Sequence, residues 1–184
     1  MEIVRKFTQS RLIKSLFIIL VGTILLAISS KIKIPFYPVP MTMQTLVVLL
    51  LGVTLGWKLG LATVTLYLFE GIIGLPVFSG SPEKGMGLVY FTGPTMGYLI
   101  GFLFTVYFAG RFKFDGNLLK KLFQLIFSIS FIYFFGVLWL GILIGWEKPL
   151  FQLGVQPFLF AELFKILIVL LSLSKLKKLN QYLR

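Results

Sequence analysis

Apolar residues along this chain gather into six long blocks, at about 12–30, 43–55, 59–78, 92–109, 119–145 and 157–174. Short joints that are basic, or rich in Pro and Gly, separate them. A membrane-spanning helix uses about 20 predominantly apolar residues, and five of the six blocks are near that length or longer. The block at 43–55 is short for a span, so it must tilt, pack inside a bundle or borrow flanking residues. The block at 12–30 follows a basic start (Arg5, Lys6, Arg11, Lys14). It also holds Ala27-Ile28-Ser29, a signal-peptidase-like pattern, so a cleaved leader is the alternative to a first span.

Composition agrees with the pattern. The 184 residues are 58% apolar and 13% charged, whereas a soluble domain has about 25% charged and 45–50% apolar residues. Mean hydropathy is +0.96. A soluble globule fits poorly, and a disordered chain is excluded. Six spans use roughly 120 residues and leave about 64 for tails and loops, too few for a soluble catalytic or nucleotide-binding domain. The expected fold is an all-α membrane protein, one domain over 1–184, built as a bundle of six transmembrane helices.

Charge orients the bundle. With the N-terminus inside, Arg5, Lys6, Arg11, Lys14, Lys58, Arg111, Lys113, Lys120, Lys121, Lys175, Lys177, Lys178 and Arg184 fall on the inner side: thirteen. Lys31, Lys33, Lys84 and Lys148 fall outside, and Lys165 lies within the sixth block. This asymmetry follows the positive-inside rule and puts both termini in the cytoplasm. The net charge of +12 then reflects topology and attraction to anionic headgroups. A nucleic-acid partner is not needed.

The chain has no Cys and no His, which excludes disulfides, Cys/His zinc sites and Ser-His or Cys-His nucleophiles. Its six acids (Glu2, Glu70, Glu83, Asp115, Glu147, Glu162) are scattered, so no metal and no cofactor is expected. The stretch 80–85 has the outline of a phosphate loop, but Met86 and Gly87 stand where Lys and Ser/Thr are required. The chain therefore carries no energy source of its own. Small residues recur every fourth position at Gly93, Gly97, Gly101, Thr105 and Ala109, and again at Gly52, Gly56 and Gly60. Such stripes let helices approach closely in lipid, within the bundle or at a docking face for a second membrane protein.

The outer joints are not plain connectors. Residues 34–42 contain three prolines, which stiffen the backbone. Residues 78–94 combine glycines with Phe78, Tyr90 and Phe91. A mobile aromatic loop opposite a rigid one is the pattern of a lid over a cavity; an interfacial aromatic belt is the alternative. Charges within the spans point to the same end. Each costs about 2.5–3.5 kcal/mol at a helix centre on insertion scales and normally faces a cavity or partner. Glu162 and Lys165 are three apart and share a helix face. At about 1.5 Å per residue they lie roughly 7 and 12 Å below the outer end of their span, and Glu70 lies near the outer end of its own. A structural ion pair and a buried neutral acid are the plainer roles for these residues.

Four segments together resemble the BioY family, the biotin-binding S components of energy-coupling-factor (ECF) transporters. They are Pro38-Val-Pro-Met-Thr-Met-Gln-Thr-Leu46, Leu66-Tyr-Leu-Phe-Glu-Gly-Ile-Ile-Gly-Leu-Pro-Val-Phe78, Gly93-Pro-Thr-Met-Gly-Tyr98 with Gly101-Phe102, and Pro157-Phe-Leu-Phe-Ala-Glu-Leu-Phe-Lys165. The likeness runs in order along nearly the whole chain. It implies a multi-pass protein of the bacterial inner membrane that captures biotin outside. It also implies a coupling membrane subunit and two ATPase subunits as partners. The family's Pro-Gly-Asp is replaced here by Phe160, Ala161 and Glu162, so the carboxylate is one methylene longer. The family's small-residue docking motif on the first helix is reduced to Thr23 and Ala27.

The chemistry fits biotin, whose cyclic urea offers two N–H donors and a carbonyl. Glu162 can accept from the N–H groups and Lys165 can donate to the carbonyl, in charge-assisted bonds; Gln44 can add an amide, and Glu70 lies near. Phe36, Tyr37, Phe78, Tyr90 and Phe91 can wall the bicyclic body, and Lys84 is a candidate for the acid tail. Thr23, Ala27, Gly93, Gly97 and Gly101 are the candidate docking residues. Alternatives are an S component for another small vitamin, or an intramembrane enzyme using Glu70 and Glu162 as an acid–base pair.

Overall fold

The computed structural model describes residues 2–83 and 85–183, with side chains over 11–83 and 85–180. The chain is mostly helical: α1 (Glu2–Lys31), α2 (Gln44–Ile72), α3 (Met96–Arg111), α4 (Leu118–Ile144), a short α5 (Leu150–Gly154) and α6 (Leu159–Leu183). A two-residue antiparallel ladder pairs β1 (Lys33–Ile34) with β2 (Met41–Thr42), and 3-10 turns occupy Gly87–Thr92 and Gln156–Phe158.

α2 is a hairpin of two limbs. Gly56 leaves the helical region (φ 73°, ψ 172°), a conformation open to glycine because it has no Cβ. Gln44 Nε2 donates to Tyr67 Oη over 2.7 Å. In a straight helix those residues would stand about 34 Å apart, so the chain doubles back at Gly56. The limbs 44–55 and 57–72 correspond to the second and third apolar blocks. The second limb stops at Ile72, not at Phe78 as the apolar pattern predicts. Gly74 takes φ 97°, Pro76 follows, and residues 73–78 turn back across the bundle.

Small residues set the helix spacing. A Cβ at Gly101 would come within 2.5 Å of Ile132 Cα, and one at Gly97 would overlap the Phe135 carbonyl oxygen. A Cβ at Gly52 would meet Ala109 Cβ at 2.7 Å, and one at Gly136 would meet the Tyr98 ring. Gly97 and Gly101 are buried and spent on the α3–α4 contact. This corrects their assignment to a docking face: α4 already covers them. Gly93 is half-buried, and its carbonyl accepts from Trp139 Nε1 at 2.8 Å. On α1, Thr23 is buried and turns inward with Gly22, Leu26, Ser29 and Ser30, while Ala27 is half-buried. Thr23 is thus also withdrawn from any partner. The outward face of α1 is Leu16, Phe17, Leu20, Ile24 and Ile28.

The whole bundle is apolar outside. α4 exposes Phe123, Phe134 and Ile142, and α6 exposes Leu163, Phe164, Ile168 and Leu171, whereas Glu162, Lys165, Gln44 and several Thr and Ser are buried. That inversion suits a lipid surround. Four helical stretches are long and apolar enough to cross a membrane, at Arg11–Lys31, Gln44–Ile72, Leu118–Ile144 and Leu150–Asn180, and Met96–Arg111 is a shorter apolar helix. At the end away from the β ladder, Asn180 Nδ2 donates to the Thr54 carbonyl at 2.7 Å, closing the first α2 limb. There too a 2.7 Å hydrogen bond from Lys177 holds the Asp115 carboxyl below its usual range.

The close α3–α4 contact generates a prediction. Gly101→Leu forces side-chain atoms onto the α4 backbone and should cost about 1–3 kcal/mol or more. Ala27→Leu, on the half-buried side of α1, should change stability far less. Thermal unfolding of the two purified variants in detergent measures the difference; equal midpoints would contradict this packing.

Candidate functional site

A cavity opens at the end of the bundle that carries the β ladder. Most parts of the chain contribute to its wall. Val39, Pro40, Met41 and Thr42 come from the proline-rich joint; Gln44 and Thr45 from the start of α2; Phe78, Ser79 and Tyr90 from the second outer loop. Tyr98, Leu99 and Phe102 of α3, Ile132 and Tyr133 of α4, Phe158 and Glu162 complete it. Its volume is about 50 Å³, room for a few waters. The lining is mainly aromatic and apolar, with few polar groups, the usual make-up of a small-molecule site.

The charged wall is a closed knot of hydrogen bonds. Lys165 Nζ donates to Glu162 Oε1 at 2.8 Å, to Thr45 Oγ1 at 2.9 Å and to the Thr42 carbonyl at 2.7 Å. An ammonium has three N–H groups, so all are used. Thr45 Oγ1 in turn donates to Glu162 Oε1 at 2.8 Å. Glu162 Oε2 is buried and makes no hydrogen bond of ordinary geometry among the described residues, while the Tyr133 hydroxyl faces the Glu162 carboxylate. The knot thus fixes one carboxylate oxygen and leaves the other for the cavity. Lys165 does not line the cavity and has no donor left for a ligand carbonyl, contrary to the expectation from sequence. Its place is behind Glu162, as a positioning residue.

Gln44 is held as well. Its Nε2 donates to Tyr67 Oη, which donates to the Val77 carbonyl at 3.0 Å, and its Oε1 accepts from Thr42 Oγ1 at 3.2 Å. One amide N–H has no partner among the described residues.

The second outer loop forms the cover. Phe78, 2% exposed, stacks on Tyr90 with centroids 4.7 Å apart and meets Phe91 and Tyr67 edge-on, each at 5.4 Å. Ser79 Oγ lies 3.2 Å from Tyr90 Oη. Cations clamp the backbone behind these rings. Lys31 Nζ donates to the carbonyls of Phe78 (2.8 Å) and Ser81 (3.0 Å), and Lys33 Nζ to that of Ser79 (2.7 Å).

Other expected residues lie elsewhere. Phe91 packs behind Phe78 and does not line the cavity. Phe36 touches the wall through Phe158 at 6.1 Å, and Tyr37, 89% exposed, points away. Glu70 is half-buried and not on the lining. Lys84 lies outside the described residues. Reading the sequence missed Thr45, Tyr98, Tyr133 and Phe158. Tyr133 is a polar aromatic within an otherwise apolar block, and Thr45 follows Gln44; both carried a signal. Tyr98 Oη donates to the Gly154 carbonyl at 2.8 Å, a contact made by α5, which the apolar pattern does not announce.

A multi-pass membrane protein with a small, largely aromatic cavity and one oriented carboxylate belongs to the class that binds small solutes within a helical bundle. The chain is a member of the BioY family, whose model matches residues 4–182. It is 33% identical over 159 residues to the biotin transporter BioY of Thermotoga maritima, covering 86% of this chain and 92% of that protein. It is 35% identical over 141 residues to a probable biotin transporter BioY of Pyrococcus horikoshii (77% and 82%). It is 32% identical over 177 residues to the biotin transporter BioY2 of Lactococcus lactis (94% and 95%). Among solved structures it resembles the S-component for biotin from an ECF-type ABC transporter. The TM-score there is 0.74 at 27% identity, over 94% of this chain and 93% of that one. These relatives are transporters, not enzymes.

The knot predicts unequal effects of removing its two charges. Lys165→Met strands a buried carboxylate and should destabilise by about 3–5 kcal/mol. Glu162→Gln still offers Lys165 a carbonyl oxygen and should cost clearly less. Thermal melts of the purified variants test the order; a milder Lys165→Met would mean that Lys165 is not the anchor.

Proposed function

We propose that this chain is a biotin-binding S component of an ECF-type transporter, taking biotin from outside the cell and passing it inward with a coupling membrane subunit and two ATPases. The observation that carries the reading is Glu162 Oε2, a buried carboxylate oxygen outside the Lys165 knot and without a hydrogen bond of ordinary geometry among the described residues, on a mainly apolar and aromatic wall. A cyclic urea offers two N–H donors to such an oxygen, and the spare N–H of Gln44 suits its carbonyl. Tyr98, Tyr133, Phe158 and Phe78 match the bicyclic body. For the acid tail, Lys84 is the proposed cation; Lys31 and Lys33, which bond the carbonyls of Phe78 and Ser79, add positive charge beside the cavity. Phe78 and Tyr90 lie on the lining from the second outer loop, and in this reading they move aside as a lid when the ligand enters.

In this reading six helices cross the bacterial inner membrane, counting both limbs of α2, and both termini are cytoplasmic. The thirteen-to-four distribution of Lys and Arg supports that orientation. Reporter fusions after Arg184 and at Lys120–Lys121 should both report cytoplasm; an external C-terminus would refute it. The energy source is external because the chain has no phosphate loop. With Thr23, Gly97 and Gly101 turned inward, the outward face of α1 around Ala27 is the surface left for a coupling subunit.

Binding tests the ligand. Glu162→Gln replaces a charged acceptor by a neutral one, a loss of about 1.5–3 kcal/mol, or roughly ten- to a hundredfold in affinity. Calorimetric titration of biotin into wild type and variant measures it. Wild-type protein that ignores biotin but binds another small vitamin would reassign the substrate, and unchanged affinity in the variant would remove Glu162 from the site.

A further inference from the structure

Two cavities meet at the opposite end of the bundle, at the turn of the α2 hairpin. The first, of about 460 Å³, is walled by Arg11, Lys14, Ser15 and the turn residues Leu55 to Leu59. The second, of about 640 Å³, is an open trough along the outside of the second α2 limb, lined by Leu61, Ala62, Thr65, Leu66 and Phe69. They share Trp57 and Lys58. Among the described residues the first carries three cations, Arg11, Lys14 and Lys58, and the second is mostly apolar. We propose that together they bind one anionic phospholipid, its phosphate in the basic cavity and an acyl chain in the trough.

Trp57 marks the boundary. Its ring carries Lys58 Nζ at 5.5 Å from the centroid and the Arg111 guanidinium at 5.8 Å, so the cations gather round an indole that suits the headgroup level. The Gly56 reversal puts this group at the end of the bundle. From there Lys58, Ala62, Thr65 and Phe69, all exposed, follow at intervals of three or four and share one helix face. The two smaller ones, Ala62 and Thr65, floor the trough between Leu61, Leu66 and Phe69.

Charge and polarity select the occupant: the basic cavity suits a phosphate, and the mostly apolar trough that continues from it at Trp57 and Lys58 suits an acyl chain. Basic pockets at helix ends recognise lipid phosphates in this way. The site is remote from Glu162 and does not depend on which solute the protein carries.

The test uses the purified full-length protein and native mass spectrometry. The probes are phosphatidylglycerol and phosphatidylcholine with the same chains, and glycerol 3-phosphate. Phosphatidylglycerol should be retained at least tenfold better than phosphatidylcholine, and glycerol 3-phosphate should not compete. Lys58→Gln should reduce the headgroup preference at least fivefold. Ala62→Trp, which fills the trough from an exposed position, should weaken retention of both lipids. An unchanged thermal midpoint verifies that each variant is folded. Equal retention of the two lipids, or no effect of either variant, overturns the proposal. Tight glycerol 3-phosphate binding indifferent to Ala62→Trp would make it a free-phosphate site. If no lipid is held and Ala62→Trp instead blocks assembly with coupling subunits, the face docks protein and the lipid proposal falls.

Discussion

An ion pair buried in a helical bundle is tolerable only when nearly every donor and acceptor is satisfied, and the knot around Lys165 meets that condition. Three acceptors surround one ammonium: a carboxylate on α6, a hydroxyl on α2 and a carbonyl of β2. Those groups come from parts of the chain separated by up to 123 residues. The electrostatic requirement therefore joins α6 to the start of the α2 hairpin and to the strand beside it. The cavity exists because that junction is fixed. Its one unsatisfied oxygen, Glu162 Oε2, is where the requirement is left open.

The remaining helices are positioned by close approach. Lipid chains are as apolar as leucine, so burying apolar side chains gives helices little reason to associate; contact and hydrogen bonding must do so. Here α3 lies against both α2 and α4 through Gly52, Gly97, Gly101 and Gly136. That places Tyr98 and Phe102 on the cavity wall. Thr105 Oγ1 adds a bond to the Ser128 carbonyl at 2.8 Å across the same interface.

Over this rigid body the second outer loop is held by different means. Lys31, Lys33 and Ser30 grip its carbonyls from one side, and its aromatic residues stack with one another over the cavity. The backbone of the loop and its rings are thus held by separate contacts, polar for the one and aromatic for the other.

The membrane class and the helical blocks were legible in the residues, and Glu162 stood out as a charge within a span, because hydrophobic length and the cost of an intramembrane charge are local properties of the chain. The four motif segments carried the family for the same reason. Partner choice was not local. Gly97 and Gly101 made a stripe in the sequence, but only packing determined that α4 covers it. Thr23 and Ala27 shared a pattern, yet helix rotation buried the first and left the second half-exposed. Lys165 could have reached a ligand until three acceptors from distant segments surrounded its ammonium. Glu70 carried the same intramembrane charge as Glu162 but does not line the cavity, because helix rotation turns Gly60, Thr63, Val64, Tyr67 and Gly71 of that limb inward in its place. A sequence determines how many bonds each group can make; the tertiary structure decides which neighbours use them, and so which group is left for a ligand.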